Sequence, residues 1–382
     1  LSKKAAPVSY TIDRSFRVTK SFDNHISSLQ SLRGIASLVV LLRHYVLCFP
    51  VSSSFWLTLE GIFLNSHAAV VVFFVLSGFV LSPSFFKKPA GIKEIAGFYT
   101  RRIFRILPLL MVVTTLSLIY VKSHFSERNV PFLNAWFQGL LNHDMPLSGF
   151  TISKCFLGLN SALVPQNWTI ACEIMVAIVL PLFIKACSGR VWMAVLTAAS
   201  FTGLSFLMIG GSGKTLPIFY AIDFIIGIIT FRVLKSHKKT YPDVFFYLAV
   251  IGLLGAREVL GILTHRGEIP FHDPLCSLIE ALFSAIIIYG LATKNHMSRI
   301  LSCRGLSQIG DISFGIYLFH FLVIVVVARL MAPLLLSRPL SVQMSGMLIP
   351  VLIISFISAY FCFHFIEMPA NRLGRTLQKY IQ

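Results

Sequence analysis

The chain has 382 residues, of which 56% are hydrophobic and only 13% charged, and it carries a formal net charge of +18. Soluble domains usually hold about 25% charged residues, so this composition excludes an ordinary soluble enzyme and indicates a polytopic membrane protein. The basic excess sits in short clusters between apolar segments, as in positive-inside loops, which sets nucleic acid aside as a partner.

In chain order, residues 1–28 are polar and basic and lack the apolar core of a signal peptide; they read as a cytosolic tail. A bilayer core takes about 20 apolar residues as helix. Windows of that size place ten spans, at about 29–49, 67–86, 103–122, 168–187, 191–209, 216–234, 244–263, 275–293, 311–333 and 345–367. The seventh is interrupted by Arg257 and Glu258. Every span is helical, because lipid offers the backbone no hydrogen-bond partner. The expected fold is therefore an all-α polytopic bundle, with a membrane domain at 29–367 and a second cytosolic tail at 368–382.

Orientation follows from Lys and Arg. With the amino terminus in the cytosol, 24 of the 33 fall in inside segments and eight in outside segments. That bias predicts an even span count and two cytosolic termini. The longest stretch between spans, 123–167, is then external. Its apolar run "FLNAWFQGLL" (132–141) is too short to cross and reads as interfacial or re-entrant. "NWT" (167–169) matches a glycosylation acceptor but abuts a span, so it is taken as a chance match. The seven cysteines form no CxxC pair and no metal-like spacing, so they read as packing residues and no metal is expected.

Ionisable residues at membrane depth cost at least about 2.5–3.5 kcal/mol each, so they tend to be paired or functional. Arg33 and His44 in "RGIASLVVLLRH" are eleven positions apart. That is about 20° from a shared helix face and about 16 Å of rise, so both belong to one stripe. Glu173 in "NWTIACEIMVAIVLPLF" lies at a depth similar to that of His44, and the two are expected to meet and share or tune a proton. His320, His364 with Glu367, Asp223 and Glu280 also fall in spans; the last two receive no role. In "FYTRRIFRILPLL", Arg101, Arg102 and Arg105 converge on one helix surface where a span enters from the cytosol. Such a fork suits phosphate, which guanidinium binds bidentately; it equally suits headgroups and the topology signal. "FFVLSGFVL" places Ser77 and Gly78 within an apolar helix, where small residues permit close helix approach.

Taken in order, these segments resemble the acyltransferase-3 family of integral membrane acyltransferases over about residues 28–376. "SLRGIASLVVLLRH" resembles its Arg, ten residues, His signature, and "FFVLSGFVLS" its Ser-Gly-Phe helix. "RRIFRILP" resembles the Arg-x-x-Arg motif before a Pro, carried by Arg102, Arg105 and Pro108. "NWTIACEI" resembles the Trp-Ser-Leu-x-x-Glu block at Trp168 and Glu173, with Thr and Ile in place of Ser and Leu. "ISFGIYLFH" resembles the late block at Ser313, Tyr317 and His320, and "FIEMPANRL" the closing Glu-x-Pro at Glu367 and Pro369.

The resemblance implies a stand-alone membrane O-acyltransferase that moves an acyl group, most simply acetyl, from cytosolic acyl-CoA to a hydroxyl of a carbohydrate, glycolipid or small metabolite. His44 is then the general base and Glu173 its orienting carboxylate. The donor-binding set is Arg33, Ser77, Arg101, Arg102, Arg105 and His320. Two other classes fit the residues less fully: a proton-coupled transporter or flippase using the intramembrane His and Glu as a relay, and a non-catalytic scaffold or receptor.

Overall fold

The computed structural model describes residues 15–50, 54–86, 91–123, 133–141, 147–212, 217–237, 239–266 and 269–381. The first half of the expected amino-terminal tail, 1–14, lies outside them. Every regular element among the described residues is helical.

The helices, in chain order, begin with α1 (Ser15–Leu47), α2 (Ser54–Phe63), α3 (Ser66–Leu81), α4 (Pro83–Phe86) and α5 (Ile92–Ser123). Next come two short ones, α6 (Ala135–Leu141) and α7 (Gly149–Phe156), then α8 (Asn167–Ser188) and α9 (Val191–Ser212). A 3-10 turn (Pro217–Tyr220) leads into α10 (Ala221–Ser236), followed by α11 (Asp243–Leu263) and α12 (Pro274–Ala292). The series ends with α13 (His296–Leu301), α14 (Arg304–Asp311), α15 (Ser313–Leu335), α16 (Leu340–Cys362), a π turn (Phe363–Glu367) and α17 (Met368–Ile381).

All ten expected spans fall on helices. By length and composition, however, seven candidate spans stand among the described residues. The weak seventh expectation is among them, as Asp243–Leu263, so Arg257 and Glu258 do not disqualify α11. Helix α1 is long enough to cross, but Gln30, Arg33, Arg43 and His44 dilute its apolar character. Helix α10 has only 16 residues, because the 3-10 turn replaces its first turn. The apolar part of α9, Val191–Leu207, is short.

Helix α3 is the centre of the bundle, packed by α1, α10 and α12. Lipid tails are as apolar as Leu, so close backbone approach replaces the hydrophobic effect as the force between spanning helices. Two glycines make that approach at the α3–α10 crossing. A Cβ on Gly78 would stand 2.1 Å from the Phe224 carbonyl oxygen, and one on Gly227 would stand 2.0 Å from that of Val75. This turns the neighbouring Ser77 into the interior.

The segment 133–141 neither spans nor floats. Asn134 donates through Nδ2 to the Leu47 carbonyl at 2.7 Å, capping the end of α1. Buried Phe137 of α6 stacks on Phe321 of α15, ring centroids 5.1 Å apart. At the other terminus, residues 368–381 of the expected tail are helical: α17 packs along α5.

Candidate active site

The helices enclose a cavity of about 530 Å³. Arg33 reaches it from α1, Ser77 from α3, Arg101, Arg102 and Arg105 from α5, and Glu173 from α8. Ser313 and Tyr317 come from α15, and Asn371 and Arg375 from α17. Six of the eight predicted site residues are thus gathered on one surface. Five arginines line it against one carboxylate, so the lining carries an excess of positive charge that favours an anion over a cation.

Arg33, Arg102 and Arg105 are met by distinct partners. Arg33 donates to Gln30 Oε1 at 3.1 Å, and Gln30 donates in turn to Asp311 at 3.0 Å. That chain depends on a close contact of α1 with α14, where a Cβ on Gly310 would stand 2.0 Å from the Gln30 carbonyl oxygen. Arg102 donates through Nη2 to Glu173 Oε1 at 2.5 Å. Glu367, buried in the π turn, lies within electrostatic reach of Arg105 and Arg33. Tyr317 is fixed by a 2.8 Å hydroxyl contact with Thr169 Oγ1, and its carbonyl accepts from Gln166 at 3.1 Å.

The expected meeting of Glu173 with His44 is not observed; Glu173 belongs to Arg102. Helix α5 begins at Ile92, so Arg102 lies ten residues along it, about 15 Å from its start. The arginines therefore stand beside the seventh residue of α8 and claim its carboxylate.

His44 meets another histidine instead. Its ring lies 5.0 Å from that of His320 and 4.7 Å from that of Phe321, centroid to centroid. His44 Nδ1 is 2.9 Å from the Val40 carbonyl oxygen, and His320 Nδ1 is 2.6 Å from that of Tyr317. A carbonyl only accepts, so both Nδ1 atoms carry a proton, and in the neutral rings the lone pair lies on Nε2. His320 Nε2 is buried and has no partner among the described residues. Neither histidine lines the cavity. Tyr317 joins the two regions, its side chain in the cavity wall and its carbonyl on His320.

A second polar cluster was not foreseen. Glu280 of α12 accepts from Asn65 at 2.9 Å and pairs with His67 Nδ1 at 2.5 Å. His67 Nε2 lies 3.3 Å from the Tyr220 hydroxyl, which lies 2.7 Å from His272 Nδ1. Cys276 joins His67 and Glu280 in a buried trio of metal-ligating types, with donor atoms within 4.8 Å of one another. His67 and Glu280 pair with each other, with Asn65 and Tyr220 behind them. Asp223 is similarly settled, accepting from Ser277 at 3.2 Å. Asn167 of "NWT" is buried and donates to the carbonyls of Cys155 and Asn160, so it is held inside the fold. His364 donates to the Tyr360 carbonyl at 2.9 Å, and the π turn alters the spacing expected between it and Glu367.

A family model described as "Acyltransferase domain" matches residues 26–366. Acyltransferase MdmB from Streptomyces mycarofaciens is 25% identical over 376 residues, which cover 91% of this chain and 92% of the relative. No solved structure matches the chain.

Proposed function

The chain belongs to the acyltransferase-3 family, an integral membrane acyltransferase by its helices and its relatives, and from that premise we propose that acetyl-CoA is its donor and a carbohydrate or related hydroxyl its acceptor. The observation that carries the donor assignment is the arginine excess around the cavity. Coenzyme A thioesters bring phosphate groups on one end and a neutral reactive carbonyl on the other. Guanidinium forks bind the first bidentately; the pantetheine arm carries the second past Tyr317.

His44 is the general base in this reading. Its Nδ1–H is fixed on Val40, which directs the Nε2 lone pair outward from its own helix and selects the basic tautomer. Nε2 takes the acceptor's hydroxyl proton as the oxygen attacks the thioester carbon. The new C–O bond forms, the C–S bond breaks, and the proton passes from the imidazolium to the leaving thiolate. Products are the O-acyl ester and free coenzyme A. Transfer is direct, with no acyl-enzyme. Glu173 keeps Arg102 in place for the donor, in place of the triad-like partnership expected for it.

With both termini in the cytosol, as the distribution of Lys and Arg implies, the arginines face the cytosolic donor pool. The acceptor enters from the other side, where α6 roofs the histidine pair. Purified protein in proteoliposomes, given radiolabelled acetyl-CoA and a polar extract of the source cells, tests the reading. Label should pass to a hydroxylic product with wild-type protein and not with His44→Ala; equal labelling by both would remove His44 from the reaction.

A further inference from the structure

The C-terminal helix contributes to the cavity although its composition marks it as a tail. Helix α17 lies along α5, and Gly374 is the point of closest contact: a Cβ there would stand 2.8 Å from the Phe104 Cβ. That contact swings Asn371 and Arg375, one helical turn apart, over the cavity's edge. Arg375 lines the same cavity as Arg101 and stands near enough for the Arg101 guanidinium to feel its charge.

The five cavity arginines are not equivalent. Arg102 is neutralised by Glu173. Arg33 is held by Gln30, and both Arg33 and Arg105 have Glu367 within electrostatic reach. Among the described residues, neither Arg101 nor Arg375 is joined to a carboxylate by an ion pair. Two like charges brought together by a glycine contact raise the energy of the empty site, and a doubly charged anion between them reverses that sign. Two planar forks with an amide beside them match a terminal phosphate group.

We propose that Arg101 and Arg375, with Asn371, form a subsite for a phosphomonoester dianion, and that the dianion is the 3′-phosphate of the donor's nucleotide. The inference rests on the acyl-CoA reading above. The order of burial supports it. Arg375 is exposed, Arg105 and Arg33 are partly buried, and Tyr317, whose carbonyl holds His320, is buried. Coenzyme A presents its charges in the same order: the phosphomonoester on the ribose, the diphosphate, then the uncharged arm with its thioester. The C-terminal helix thereby makes the enzyme selective for coenzyme A over donors that carry the same thioester without that phosphate.

An anionic lipid with a phosphomonoester headgroup offers the same chemistry, so the test separates the two. Full-length protein in nanodiscs of phosphatidylcholine, with or without phosphatidic acid, is titrated with coenzyme A and with 3′-dephospho-coenzyme A. Wild-type protein should bind the dephospho form at least about tenfold more weakly in both lipid compositions. Arg375→Gln should bind both forms alike, at the weaker affinity, whereas Arg375→Lys should keep part of the preference. Arg372→Gln, an exposed neighbour on the same helix that does not line the cavity, should keep all of it and serves as the folding control. Equal wild-type affinities, or full discrimination by Arg375→Gln, would overturn the proposal while leaving the donor reading intact. So would phosphatidic acid abolishing the wild-type preference, which would assign the subsite to lipid. Failure of wild-type protein to bind either form would remove the acyl-CoA reading and the subsite together.

Discussion

His44 and His320 face each other across the α1–α15 contact with ring centroids 5.0 Å apart, and each donates Nδ1–H to a carbonyl of the turn before it. Two imidazoles from different helices therefore stand side by side, both against Phe321, which stacks on Phe137. General-base catalysis contributes about 10²–10⁴ in rate. His44→Ala should lose a factor of that size in kcat while binding acetyl-CoA with unchanged Kd, since His44 does not line the donor cavity. Rate and affinity measured on one preparation check the split.

The Arg102–Glu173 pair makes a different prediction. It is half-buried, at 2.5 Å. Removing either partner leaves a charge alone in a site that excludes much of the solvent, which costs more than the pair itself is worth. Arg102→Ala should raise the KM for the acyl donor, and Glu173→Gln should raise it less, by loosening Arg102. The double variant should resemble Arg102→Ala, with a coupling of about 1 kcal/mol or more in a double-mutant cycle. Additive effects would mean that the pair does not act through the donor.

The α3–α10 crossing is a third case. Gly78→Ala forces a methyl group against the Phe224 backbone at 2.1 Å. Backbone yields less readily than a side-chain end, so the helices must separate, at a cost of about 1–3 kcal/mol or more. Ser77 and Phe74, which line the cavity, would move with them. The expected outcome is a lowered melting temperature together with weaker donor binding, read by thermal unfolding in detergent and by titration. Gly139→Ala, at a position where an added Cβ meets nothing within 4 Å, is the control.

His272 supplies a pH dependence outside the spanning segments. Burial, with help from His67 and Arg257, pushes its pKa down to about 4 from 6.5. The folded state therefore holds it neutral, accepting from the Tyr220 hydroxyl. Above pH 6.5 neither state binds the proton and the full contribution to stability is present. Between pH 6.5 and 4 the unfolded chain protonates first, so stability falls as the pH is lowered through this window. Thermal unfolding across that range should show the loss in wild-type protein and a smaller one in His272→Gln.

The sequence made the framework legible, for reasons visible in particular residues. Hydropathy locates helices because lipid permits few alternatives, and the order of the Arg33–His44, Ser77, Arg102–Arg105, Glu173 and His320 segments is the order in which the cavity and the histidine pair are assembled. Depth was less legible. Helix α5 begins at Ile92, eleven residues before the expected span at 103, and Glu173 is taken by Arg102 of that helix. Contacts between helices left no local signal: His67 and Glu280 are 213 positions apart, and no periodicity links them. Helix α17 was hidden by its own composition, since Asn371, Arg372, Arg375 and Lys379 read as a solvated tail until Gly374 is seen against Phe104.

The central claim is that a donor held on the cavity arginines delivers its thioester to the His44–His320 pair. A cryo-EM map of the protein with a non-hydrolysable thioether analogue of acetyl-CoA measures this directly. The account predicts phosphate density on Arg101, Arg105 and Arg375, with the arm running past Tyr317 and its acyl end beside His44. Density for the analogue elsewhere, or an arm that ends in the arginine cavity with Tyr317 sealing both histidines from it, would contradict the account.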